Sequence, residues 1–161
     1  MRSIAQDAGV DPALIAYFFE SKRGLFNEVM RLRWDPHRVV TRVLDGESSG
    51  VGERLVTVAC EMLADAQAQD TVIGLVRAAG HDRHAATLIR VLLAEEILKP
   101  VASGLEVAEA DLRAELALSQ VLGLVLGRHV IGLETLSAST PARLRRTLGV
   151  TLQRCLVGPL D

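Results

Sequence analysis

The stretch Ile4-Ala5-Gln6-Asp7-Ala8-Gly9-Val10-Asp11-Pro12-Ala13-Leu14-Ile15-Ala16-Tyr17-Phe18-Phe19-Glu20-Ser21-Lys22 decides how this chain is read. Its pattern predicts a short helix, a tight turn at Gly9, a second short helix from Pro12, and a third opening at Ser21. Gly9 supplies the left-handed backbone such a turn needs at no steric cost. Asp11 places a capping oxygen before a proline whose missing N–H costs nothing at the first helical position. Ile4, Ala5, Ala8, Val10, Ile15 and Phe19 are expected to form the buried wedge. Ala13, Ala16 and Tyr17 are expected to face outward. This is the layout of a helix-turn-helix, whose second helix enters the major groove of DNA. Lys22 stands at the start of the third helix, where its ammonium and nearby backbone N–H groups suit a phosphate.

At these residues the chain resembles the TetR (tetracycline-repressor) family of transcriptional regulators. The elements that carry the resemblance are Ile4-Ala5, Ala8-Gly9-Val10, the capped helix that ends in Phe18-Phe19, and Ser21-Lys22 followed by Leu25-Phe26. Together they cover residues 2–30. The resemblance implies a double-stranded DNA operator as partner, with Pro12, Ala13, Ala16, Tyr17 and Lys22 as its contacts. Ala16 departs from the pattern, since the family often carries Tyr or His there. The family also places a helix ahead of this one, usually behind a basic arm. Met1 occupies a position where the family has Val, so the coding sequence is expected to begin upstream. The module is therefore read as truncated.

The remaining chain is expected to be helical throughout. Of the 161 residues of the whole chain 49% are hydrophobic and 3% aromatic, so Leu, Val and Ala must do the packing, and Leu and Ala are strong helix formers. Asp35-Pro36 and Thr140-Pro141 repeat the capping arrangement. Helical spacing predicts a helix from Val51 to near Asp70, a short one over 71–79 closed by Gly80, and another from Asp82 to Leu98 that Pro100 stops. A long helix is expected over Glu109–Leu136 and a last one over Pro141–Leu156. No segment alternates as a half-buried strand does, so the fold class is all-α. The expected division is residues 1–31 as the DNA-binding module and 32–161 as the regulatory domain for ligand binding and dimerisation.

Charge and cysteines narrow the partners. Residues 1–42 carry seven Lys/Arg against five acids, so the rest holds the surplus that brings the net charge to −2. A mildly basic front suits a small DNA contact. Cys60 and Cys155 lie too far apart in sequence to suggest a disulfide framework or a metal. No apolar run approaches the roughly 18 residues that span a bilayer, so no membrane partner is expected, and the expected location is the cytoplasm. His81 and His84 bracket Asp82, but no third ligand is placed and no metal is expected. Neither a nucleophile elbow nor a phosphate loop is present; no catalytic residue or cofactor is expected.

Ser119, Gly123 and Gly127 recur at four-residue spacing, a stripe that lets another helix approach closely. The last helix offers Leu144, Leu148, Leu152 and Leu156. The resemblance implies that these two helices pair with their symmetry mates in a homodimer, through Ser119, Gly123, Gly127, Leu144, Leu148 and Leu152; ordinary packing within one chain is the competing reading. It also implies an unknown small-molecule effector, held among the helices that start at Val51, Asp82 and Glu109, with Trp34, Met62, Leu92 and Gln120 as candidate lining. The expected function is a repressor that a ligand releases from its operator. The alternative is a dimeric small-molecule-binding protein that has lost DNA binding.

Overall fold

A computed structural model of the chain describes Ala5, Gly9 and residues 11–19 and 35–159. It divides into two compact units, Met1–Asp35 and Pro36–Asp161. Helices are numbered here among the described residues, which contain no strand. The fold is all-α, as the composition predicts.

In the first unit Ala5 is fully buried. Gly9 has φ of 66°, the left-handed conformation expected of the turn. Helix α1 (Pro12–Phe19) follows. Asp11 starts it: its carboxylate accepts the Ala13 N–H at 2.7 Å, and its carbonyl accepts the Leu14 N–H.

The second unit begins with α2 (Pro36–Leu44) and a 3-10 turn at Ser48–Gly50 that leads into α3 (Val51–Met62). Helix α3 ends at Met62, short of the expected Asp70. Asp65 intervenes in extended conformation, and its carboxylate accepts the Ala68 N–H at 2.7 Å to cap a new helix, α4 (Ala66–His81). That helix runs through Gly80, which does not close it.

Helix α5 (Arg83–Leu93) also overruns its expected end. It widens into a π-helical turn over Ala94–Leu98, where the Lys99 N–H reaches back five residues to the Ala94 carbonyl, and continues as α6 (Lys99–Leu105). Proline in a regular helix would clash with the carbonyl four residues back. Pro100 follows the wider turn and stands within the first turn of α6.

The long C-terminal helix is likewise not one rod. Helix α7 (Ala110–Val125) widens into a π turn over Leu126–Val130 and breaks at Gly132, whose φ is 73°. A short α8 (Glu134–Ser137) follows. Thr140 then caps α9 (Pro141–Val157), accepting the Arg143 N–H.

Helices α3 and α9 form the most extensive pair, and two glycines explain how they approach. A Cβ on Gly52 would stand 2.3 Å from the Gln153 nitrogen, and one on Gly149 would stand 3.3 Å from Glu53 Cα. Gln153 bridges the crossing: its Oε1 accepts the Gly52 N–H, and its Nε2 donates to the Ser48 carbonyl. Around it Val43, Val51, Val56, Leu152 and Leu156 are sealed from solvent. A smaller cluster joins Leu63, Ile73 and Val125.

Candidate functional site

Two surfaces carry the candidate functional residues, one in each unit. On α1, Pro12, Ala13, Ala16 and Tyr17 are all exposed, Tyr17 to 80%. Their spacing of i, i+1, i+4 and i+5 puts them on one side of the helix. Leu14 is also half exposed. Local chemistry starts the helix: a left-handed glycine, a carboxylate cap and a proline first residue. Lys22 and Trp34 lie outside the described residues, as does the side chain of Leu92.

The second surface belongs to α7 and α9, which pack directly on each other. On α7, Leu112, Leu116, Ser119 and Gly123 recur at helical spacing and all are exposed. Leu112 and Leu116 keep 48% and 40% of their surface. A Cβ on Gly123 would meet nothing within 4 Å, so this stripe is open to a neighbour. The Ser119 hydroxyl donates to the Leu116 carbonyl. At the end of the π turn and just after it, Val130, Ile131 and Leu133 add exposed apolar surface.

On α9 the leucines expected to pair face this chain's own interior. Leu144 and Leu152 lie inside the protomer's own core, and Leu148 is half-buried against it. Gly149 falls on this same side, and α3 covers it. The opposite stripe, Arg143, Thr147, Val150 and Arg154, is exposed, Val150 to 69%. Gly127 is also turned inward, beneath Leu136 and Leu133, while Ser119 and Gly123 keep the exposure expected of them. The buried leucine row and the exposed Val150 look alike by periodicity. The glycine at 149 was the available signal, because a helix that buries glycine admits a close neighbour on that face.

The candidate effector residues Met62 and Gln120 are both half-buried, and Met62 packs on the main core. Burial pushes the Cys60 thiol up, and the Arg128 and Arg145 charges partly oppose that. His129 sits beside Arg128 in the π turn. Its Nε2 is sealed from solvent and has no hydrogen-bond partner among the described residues. Burial, then the Arg128 charge, holds its pKa below the ordinary histidine value. Both cysteines are free thiols. Among the described residues no three His, Cys, Asp or Glu side chains gather as a metal site would require, and no helix is long and apolar enough to cross a membrane.

Comparison with known proteins bears on both surfaces. Residues 49–156 match the family described as "Tetracyclin repressor-like, C-terminal domain". Among solved structures, the chain is similar to a TetR-family regulator from Streptomyces coelicolor, with TM-score 0.60 and 25% identity. The similarity covers 95% of this chain and 80% of that one. A search of curated proteins gives no match.

Proposed function

Because the chain belongs to the tetracycline-repressor-like (TetR) family of transcriptional regulators, we propose that it binds an operator in double-stranded DNA as a homodimer and releases it when a small molecule binds the second unit. The observation that carries this reading is the exposed face Pro12, Ala13, Ala16 and Tyr17, mounted behind the left-handed Gly9 turn. Residues 1–31 serve as the DNA module and 32–161 as the regulatory domain. Lys22 grips a phosphate.

Pairing supplies the second reading helix. The exposed stripes of α7 and α9 meet their symmetry mates as an isologous four-helix contact, which suits a palindromic operator. Leu112, Leu116 and Val150 are its apolar centre, and Ser119 and Gly123 permit close approach. The effector lies among α3, α5 and α7, with Met62 and Gln120 on its wall. It acts only through a difference in affinity for two arrangements of the dimer. The site of action is the cytoplasm, where DNA is found.

The test is selection of duplexes from a random library by the full product of the gene, followed by affinity measurement at several salt concentrations. A repressor yields a sequence-selective duplex whose affinity falls steeply with salt. Recovery without sequence preference would favour a small-molecule-binding dimer that has lost its operator.

A further inference from the structure

The reading helix α1 has the sequence Pro-Ala-Leu-Ile-Ala-Tyr-Phe-Phe, with no Arg, Lys, Asn, Gln, Asp or Glu. Those are the side chains that read guanine, adenine and cytosine edges by paired hydrogen bonds. The Tyr17 hydroxyl is the helix's one polar side-chain group. Asp11, just ahead, directs a carboxylate oxygen to the Ala13 N–H as a cap. What α1 offers outward is methyl and methylene surface: Pro12, Ala13, Ala16 and half-exposed Leu14, beside the Tyr17 ring.

One base presents matching chemistry in the major groove. Thymine carries a C5-methyl group there, and alanine is a small side chain that packs on it. From the apolar face of α1 we infer that this chain selects its operator by thymine methyls, packed against Ala13 and Ala16, rather than by hydrogen-bonded guanines. The inference rests on the proposed DNA-binding reading and names the chemistry that reading would use. The short alanine side chains let the helix backbone come close to the base edges, where the Tyr17 ring reaches the neighbouring pair. The excess of Lys/Arg over acids in residues 1–42, seven against five, attracts the DNA backbone but carries no sequence information.

The experiment takes the duplex selected by the full gene product and replaces the thymines of each half-site, one position at a time, with deoxyuridine. This removes a methyl and leaves base pairing intact. One buried carbon is worth about fourfold in affinity, so symmetric replacement at a contacted thymine in both half-sites should cost about fifteenfold. Ala13→Ser or Ala16→Ser should shrink that difference, since a hydroxyl interrupts the apolar contact. Deoxyuridine with no effect at any position, on a duplex still bound with sequence preference, would overturn the inference and leave the regulator reading standing. Failure to select any duplex would overturn both together.

Discussion

Arg113 and Cys155 bond each other in both directions. An Arg113 Nη1 hydrogen is donated to the Cys155 carbonyl at 2.9 Å, and the Cys155 thiol is donated to the Arg113 carbonyl at 3.8 Å. The same guanidinium donates to the Ala108 and Gly158 carbonyls. Arg113 is 93% buried by complement of its 7% exposure, so it clasps the start of α7 to the last turn of α9. Helix α9 ends there with carbonyls that have no partner in their own helix, and the arginine supplies one.

Replacing that clasp should therefore cost stability without touching either functional surface. Arg113→Met keeps the apolar stem but strands three carbonyls, and we expect a loss of about 3 kcal/mol. Chemical denaturation checks it. A loss within experimental error would mean that water replaces the guanidinium.

The α3–α9 crossing makes a sharper contrast. Gly52→Ala forces a methyl onto the Gln153 and Gly149 backbones, and should destabilise by about 3 kcal/mol or more. Gly123→Ala meets open space in the protomer, and should stabilise the helix by up to about 1 kcal/mol. In the proposed dimer the same methyl stands at the pairing face, so dimer dissociation should rise as protomer stability rises. Thermal melts at high dilution and sedimentation at several concentrations separate the two effects.

The pairing face itself is tested by charge. Leu116→Glu or Val150→Glu should yield folded monomers whose helical content matches the parent. Surface substitutions of this kind change protomer stability by about 0.5 kcal/mol. Leu152→Glu, by contrast, places a carboxylate in the core and should prevent folding. Unaltered sedimentation of Leu116→Glu and Val150→Glu would remove α7 and α9 as the interface.

His129 sets an acid limit. Its folded pKa lies below the ordinary value of about 6.5, so the unfolded chain binds the proton more readily. Stability that is complete above about 6.5 should fall as pH drops from there towards the folded pKa, then level off. His129→Phe should flatten this part of the profile, measured by denaturation between neutral and mildly acidic pH. An unchanged profile would assign the acid loss to other groups.

For DNA contacts, Lys22→Ala should weaken all duplexes alike and reduce the salt dependence, whereas Tyr17→Ala should also relax sequence preference. Affinities for the selected duplex and a scrambled one distinguish these. Equal loss of preference from both variants would contradict the assigned roles.

Local signals were the legible ones. The Gly9 turn and the caps at Asp11 and Thr140 each depend on neighbours within a few residues, so a pattern of residue types suffices to find them. The ends of α3 and α5 were not legible in this way. Ala64-Asp65-Ala66 is as compatible with a continuing helix as with a break, and only packing chooses. Pro100 normally ends a helix, but here it follows a π turn and stands within the first turn of α6. On α9 periodicity finds a leucine row without saying what covers it; the close approach of α3 through Gly52 and Gly149 decides that. Exposure on α1 matched expectation at Ala13, Ala16 and Tyr17, which share one side of a helix whose start the proline and its cap fix.

Sedimentation of the complex between the full gene product and its selected duplex tests the central claim most directly. The account predicts two chains on one duplex, with two matching half-sites about one turn, roughly 34–36 Å, apart. A single chain on the duplex, or binding without any repeated half-site, would contradict it.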